Sequence, residues 1–382
     1  MKTKKSRLLV SRFVAVLAFA LCGALAPSML GQAPAKKAAP GKAAGEQPKF
    51  KAIWEPVNVP EDVALVSVHF VSPEVGWVAG GKTTHVGGVI YHTKNGGKTW
   101  ELQAGDAQSD EGGYSGLHFV DANTGYAVQL KTSGDYQLVK TSDGQSWAPS
   151  GNVPEHRYEQ FFTTPTTGFI ADWRRNIIRT TDSGKTWKPV KQCRIKTEIG
   201  GLTRDAECYF YSVHFPTATT GYAIGALPEN AGNMLARTDD GGDTWDAWVV
   251  LPGETAYEGS LWFLDAENGV FRSKVGKMFR TSDGGKTWNG VSGTAEYKSA
   301  IRFADSEVGW MIYYRKMTYT TNGGKSWLSR EIAFPAMVAA SSFPARNSGY
   351  VVGEHGMVYR YRIVPIDYNV KGMLAAPALA AR

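Results

Sequence analysis

After residue 50 the apolar positions come in strand-length runs closed by clusters of Gly, Asp, Asn, Ser and Thr, with no long stretch of strong helix formers between them. That pattern predicts many short strands joined by tight turns. The runs also repeat. In each unit a strand ends in Phe, a Gly follows six residues later, an aromatic comes next, and a second and third strand lead into a hairpin. The Phe positions are Phe70, Phe119, Phe162, Phe215, Phe263, Phe303 and Phe343, and the Gly positions are Gly76, Gly125, Gly168, Gly221, Gly269, Gly309 and Gly349. Trp77, Tyr126, Phe169, Tyr222, Val270, Trp310 and Tyr350 follow them, aromatic in six of seven. Spacings of 40 to 53 residues match a four-stranded blade, so the expected fold is all-β, a seven-bladed β-propeller.

The hairpins are of the Asp-box type: RTTDSGKTW ends at Trp187, RTDDGGDTW at Trp245 and RTSDGGKTW at Trp288. Variants end at Trp100 (TKNGGKTW) and Trp327 (TTNGGKSW), and the version ending at Trp147, TSDGQSW, is one residue short. In such a turn the Asp or Asn side chain caps the backbone N–H groups, and glycines take the positive-φ positions. Asn95, Asp143, Asp182, Asp240, Asp283 and Asn322 are therefore expected as structural turn residues. They lie on the rims of different blades, so neither a metal nor another cofactor is expected from them. Six hairpins serve seven Phe/Gly units. The segment KAIWEPVNV, residues 51–59, resembles the strand that follows each box, so Trp54 is expected to supply the seventh Trp. Pairing of this N-terminal strand with the last blade would close the ring and remove exposed sheet edges.

Upstream of the repeats, residues 1–30 read as a signal peptide: Lys2, Lys4, Lys5, Arg7 and Arg12 precede an apolar run from Phe13 to about Leu25. Cleavage after Ala26 fits an Ala-x-Ala pattern, but Pro27 would become the first mature residue, which leaves the site open. Retention as an anchor is the alternative, since the apolar stretch to Leu30 is about 18 residues, the lower edge for a membrane span. Lipidation at Cys22 is disfavoured by Leu21 before it. Residues 31–49, rich in Ala, Pro and Lys, are expected to be a disordered linker, 50–365 the propeller, and 366–382 a loose tail. The chain carries a net charge of +7 and a pI near 9.1. Residues 1–50 hold nine Lys/Arg and one Glu, which leaves 33 Lys/Arg and 34 Asp/Glu in the remainder. The basic pI thus belongs to the leader and linker, and no nucleic acid partner is expected. Contact with a membrane is expected only through a retained leader, and the propeller is expected to be a monomer.

In a four-stranded blade A–B–C–D, the A–B and C–D turns share one face, here filled by stereotyped turns and Asp boxes. Irregular loops gather on the other, where binding residues tend to sit. The largest runs between Trp187 and Tyr209 and is bracketed by Cys193 and Cys208, which are expected to form a disulfide in an oxidising compartment. It carries Lys188, Lys191, Arg194, Lys196 and Arg204. Beside it should fall Trp173, Arg174 and Arg175 from the B–C loop of blade three, and His156 and Arg157 from the loop before that blade. Arg157, Trp173, Arg174, Arg175, Lys191, Arg194, Lys196 and Arg204 are the candidate partner-binding residues, fitted to an acidic partner. The alternative is a solvated loop whose charges are offset by Glu155, Glu198, Asp205 and Glu207. A second, smaller candidate on this face is Tyr313, Tyr314, Arg315 and Lys316. One residue before the repeat Phe stand His69, His118, Phe161, His214, Trp262, Arg302 and Ser342, read as blade-interface packing.

The repeats FVDANTGYAV, TSDGGKTW and FADSEVGW resemble those of the photosystem II stability/assembly factor-like Asp-box (BNR repeat) propellers, over roughly residues 51 to 363. The resemblance implies an exported seven-bladed propeller closed by an N-terminal strand, a non-enzymatic assembly factor that meets its protein client through an Arg-rich patch. The client does not follow, because such repeats also occur in bacteria with no photosystem, and the basic loops here do not match that patch residue by residue. The competing enzyme class is the sialidase-like glycoside hydrolases, which need an arginine triad, a Tyr/Glu nucleophile pair and an Asp acid. No Arg occurs between Arg12 and Arg157, so the first two blades cannot contribute to such a triad. No phosphate-binding glycine loop, zinc signature or nucleophile elbow occurs either. The expectation is a non-enzymatic scaffold for an envelope or secreted protein. A glycan- or peptide-binding surface module, using the central funnel, is the alternative.

Overall fold

A computed structural model describes residues 50–81, 87–107, 112–154, 160–172, 174–257, 259–296 and 299–366. The expected leader and linker, and the tail beyond Ile366, lie outside the described residues. The rest is all-β: seven four-stranded antiparallel sheets, each in the order A-B-C-D, and one added two-stranded sheet. The blades span 64–105, 114–152, 161–192, 209–250, 261–294 and 302–331, and the seventh combines 338–365 with Phe50–Pro56. The chain is a seven-bladed β-propeller closed by its N-terminal strand.

The Phe/Gly/aromatic repeat is one interlocking device. Each repeat Phe lies at or near the end of strand A and flat on the repeat Gly near the start of strand B of the same blade; a Cβ on any of the seven glycines would fall within 3.0 Å of that ring. None of the seven has a positive φ, so glycine is required here for room. The exposed face of the ring is then covered by the aromatic that follows the Gly of the preceding blade. Phe70 stacks on Tyr350, Phe119 on Trp77, Phe162 on Tyr126, Phe215 on Phe169, Phe263 on Tyr222 and Phe343 on Trp310, with centroids 3.4–4.5 Å apart. Phe303 meets Val270 instead, the one position without a ring. The box Trp closes the third side, edge-on to the Phe of its own blade at 5.8–6.4 Å. Each such pair adds about 0.5–1.5 kcal/mol beyond the burial of the rings, and every blade interface but one carries it.

Asp boxes fix the C–D turns. In the five full-length boxes a Thr hydroxyl accepts a hydrogen bond from the N–H of Gly97, Gly184, Gly242, Gly285 or Gly324 at 2.8–3.0 Å. The carboxylate or amide oxygen of Asn95, Asp182, Asp240, Asp283 or Asn322 accepts from the N–H four residues on at 2.9–3.0 Å. In the short box Asp143 accepts from Gln145 and Ser146, two and three residues on, because one residue is missing. Hydrogen bonds from the Thr186 side chain and backbone and from Thr180 bring the Asp182 carboxyl down to about 2. At Asp283 slight burial pushes the other way, but the bonds from Thr287 and Thr281 prevail, and it too falls to about 2.

Trp54 sits in register where a box Trp belongs. Gly349 pairs with Tyr361, and Tyr361 with Trp54; in blade one Gly76 pairs with Thr93, and Trp100 stands directly before Glu101, which pairs with the neighbouring His92. The contacts of Trp54 differ: Tyr361 at 5.3 Å and Phe334 at 5.2 Å surround the indole. Phe50 pairs with Pro365, so the propeller's two chain ends leave side by side on the Asp-box face.

Candidate protein-binding surface

The loop between Trp187 and Tyr209 folds into strand D of blade three, Lys188–Gln192, and then an inserted hairpin, Arg194–Ile199 with Leu202–Glu207. Its turn is Gly200-Gly201, both at positive φ (62° and 80°), as a two-residue hairpin turn of this twist demands. Ile199 and Ala206 are buried against blade four, in a cluster with Met234 and Ala236. The structure joins Cys193 to Cys208 at the hairpin base, with Cα atoms 5.1 Å apart and both residues buried. The Cys193 N–H donates to the Arg175 carbonyl at 2.7 Å, which ties the base to the B–C turn of blade three. Arg175 itself has φ of 70°, pairs with Glu207 and lies over the Tyr209 ring at 5.0 Å.

At least five of the eight candidate residues therefore have partners, Arg174 among them. Arg175 meets Glu207, Arg194 meets Asp205 at 3.1 Å, and Arg204 meets Glu229 at 2.5 Å. Lys191 donates to the Trp245 carbonyl at 3.2 Å, and its partial burial lowers its pKa. Arg174 and Lys196 are exposed, Lys196 opposite Asp205 in the hairpin ladder. Arg157 and Trp173 lie outside the described residues. Over residues 194–207, Arg194, Lys196 and Arg204 are balanced by Glu198, Asp205 and Glu207. Among the described residues, Arg175, Arg194, Arg204 and Lys191 act as ties that hold the hairpin and its base in place.

The second candidate becomes a cleft of about 700 Å³ between blades six and seven. Tyr313 pairs with Lys316 around the B–C turn of blade six, and between them Tyr314, at φ of 55°, is 58% exposed. Sequence reading found this wall because it is one run of residues. It missed Ser329, Arg330 and Glu331 on strand D of the same blade, Met337 at the entry to blade seven, and Glu296 before blade six. The alternation of strand D after the box was the one signal available for Arg330. Lys316 pairs with Glu296 at 3.5 Å, while Arg315 and Arg330 have no ion-pair partner among the described residues.

Most of the residues before the repeat Phe positions form a chain of neighbours running from His69 to Arg302. His69 meets His118 at 5.7 Å, His118 meets Phe161 at 4.7 Å, Phe161 meets His214 at 5.6 Å, and His214 meets Trp262 at 4.3 Å. Arg302 ends this row over the Trp262 face, and Ser342 accepts from the Phe70 N–H. Burial first, with the neighbouring His118 and Arg302, lowers His69 to about 3. His214 falls to about 4 by burial, against its bond to the Phe263 carbonyl. Both are neutral at physiological pH. Among the described residues no group of three His, Cys, Asp or Glu is arranged to hold a metal ion. A shallower cleft of about 450 Å³ opens beside His69 on the Asp-box face, between the A–B turns of blades one and two.

The strand order and the turns together define an Asp-box β-propeller with a stapled insertion on one face. A family model described as photosynthesis system II assembly factor YCF48 matches residues 139–297. The photosystem II stability/assembly factor HCF136, chloroplastic, of Oryza sativa subsp. japonica is 24% identical over 92% of this chain and 90% of its own length. The photosystem II assembly lipoprotein Ycf48 of a Picosynechococcus species is 21% identical over 81% of this chain and 87% of its own. Among solved structures, YCF48 from Cyanidioschyzon merolae matches with a TM-score of 0.58 at 17% identity, covering 81% of this chain and 98% of that one. YCF48 bound to D1 peptide matches with a TM-score of 0.56 at 17% identity, covering 81% and 96%. The chain is an Asp-box β-propeller, similar over most of its length to the photosystem II stability/assembly factors.

Proposed function

We propose that the chain is a non-enzymatic, exported propeller that serves as a binding scaffold or assembly factor for a protein partner in the envelope or outside it. The observation that carries this reading is the inserted hairpin. It contributes no strand to any blade, yet a disulfide, an ion pair to Glu207 and a buried apolar strip hold it rigid on the loop face. Rigid presentation of an element outside the core is what recognition requires. Support also comes from relatives whose names describe assembly factors, one of them a lipoprotein and one bound to a peptide. Residues 1–30 are proposed as the export signal or a retained anchor, 31–49 as a linker, 366–382 as a tail, and the propeller as a monomer. A glycan- or peptide-binding surface module is the second reading, and an exposed Tyr314 beside a cleft favours it enough to be tested.

The test is cross-linking mass spectrometry on intact envelopes of cells expressing the full chain. The expected result is one protein client whose cross-links fall on the loop face, among residues 172–175, 194–207 and 313–337. Cross-links confined to the Asp-box face would remove the reading, as would turnover of fluorogenic glycosides by the purified chain.

A further inference from the structure

We infer that the cleft between blades six and seven is a binding site for an extended acidic peptide, with Arg315 and Arg330 as the carboxylate anchors and Tyr314 as the stacking platform. The inference rests on the scaffold reading and gives its partner a chemistry. The loop face offers two sets of cations, and they differ in one respect. Arg175, Arg194 and Arg204 are each paired with a carboxylate of the chain itself. Arg315 and Arg330 are exposed and have no such partner among the described residues. A guanidinium presents a planar fork of N–H donors that fits a carboxylate in a bidentate way, so two unmatched forks on one cleft select for paired negative charge.

The remaining walls argue for a peptide over a sugar. Met337 is 44% exposed and supplies an unbranched, polarisable surface that adapts to varied side chains. Tyr314 is held outward in a left-handed backbone conformation that a non-glycine residue rarely adopts, and it leaves its ring open for an apolar or aromatic side chain. Lys316 is satisfied by Glu296, and Glu331 stands across the ladder from Lys316, so an acidic ligand is drawn toward the Arg315 and Arg330 end. The cleft volume of about 700 Å³ holds a few residues of extended chain, not a folded element.

Fluorescence anisotropy of the purified full chain tests this with three probes: a fluorescein-labelled peptide of alternating Asp and Tyr, the same peptide with Asn for every Asp, and labelled oligogalacturonic acid as an anionic sugar. The Asp peptide should bind, weaken on added salt, and lose at least about tenfold in affinity in the double variant Arg315→Gln with Arg330→Gln. Arg346→Gln, on the A–B turn of blade seven where the side chain pairs with Asp305 and Glu307, should leave binding unchanged. Equal binding of the Asn peptide, equal loss in Arg346→Gln, or preference for the sugar would each overturn the proposal. The variants lie on the surface, and matching thermal unfolding curves exclude misfolding as the cause. The two readings fail separately. A double variant that still cross-links to the same client in envelopes removes the cleft and leaves the scaffold, whereas a chain that binds the acidic peptide but cross-links to no client does the reverse.

Discussion

The two faces of this ring are built on the same seven blades, yet their turns are fixed by opposite means. On the Asp-box face one small set of hydrogen bonds recurs from Asn95 to Asn322, each made within a handful of residues. On the loop face each tie is made once and spans the sequence: Arg175 to Glu207, Arg204 to Glu229, Cys193 to Cys208. Local turns of the first kind need nothing from the rest of the protein and can be copied from blade to blade. Those of the second kind depend on which blades are neighbours, so they can vary without disturbing the ring. A scaffold that must keep its shape while presenting one particular surface gains from that division.

The shared foundation of both faces is where the largest effect is expected. Phe263→Ala removes a ring buried between Gly269, Tyr222 and Trp288, and should cost about 3–5 kcal/mol in urea unfolding. Phe303→Ala, where Val270 offers no ring, should cost about 1 kcal/mol less. Equal losses would mean that the stacking contributes nothing beyond burial. Next comes the loop face: replacing Cys193 and Cys208 by Ser opens a 15-residue separation and should cost on the order of 3 kcal/mol. Hydrogen exchange should accelerate within residues 194–207 while the blades keep their protection. If the blades exchange faster as well, the hairpin is part of the ring's own stability and the division between faces is wrong.

A smaller effect separates the Asp boxes from the Asn boxes. The Asp182 carboxyl is held near 2 in the folded chain against an ordinary 3.8, so its contribution is complete above about pH 4 and is lost as pH falls through 2. Asp182→Asn should therefore flatten the fall of the melting temperature between pH 4 and pH 2, and Asn322→Ala should leave that slope as it is. A slope unchanged in Asp182→Asn would assign acid sensitivity to other carboxylates. The smallest effect is expected at the cleft, where Arg315→Gln with Arg330→Gln should change unfolding free energy by under about 0.5 kcal/mol, because neither exposed side chain has an ion-pair partner among the described residues to lose. A larger destabilisation would place these arginines among the structural ties with Arg175.

Much of the ring was legible because its repeat is strict. Phe, Gly and an aromatic at fixed spacing announced a blade, and the missing seventh hairpin pointed to Trp54. The stacking of Phe119 on Trp77 could not be read, since it joins residues of different blades and nothing local distinguishes it from packing within a blade. The same limit explains the loop face. Counting Lys and Arg between residues 173 and 204 gave a basic patch with Glu207 as one offsetting charge, but Glu229 joins it only once the fold brings blade four near. Tyr313 to Lys316 were found because they are contiguous. Arg330 and Met337, which complete that cleft, lie on a later strand and a later loop whose sequences resemble those of any other blade.

Trp54 is made first and buried last. Its strand pairs with Tyr361 across nearly the whole length of the ring, so no part of the nascent chain can offer it a neighbour until the final blade exists. At about 5–20 residues per second, synthesis of the intervening chain takes roughly 15–60 s, during which an unpaired strand and the open edge of each new blade wait together. The joint that makes the finished ring edgeless therefore makes its assembly all-or-none. Truncation anywhere before blade seven leaves a chain with two sticky ends, a substrate for chaperones and proteases.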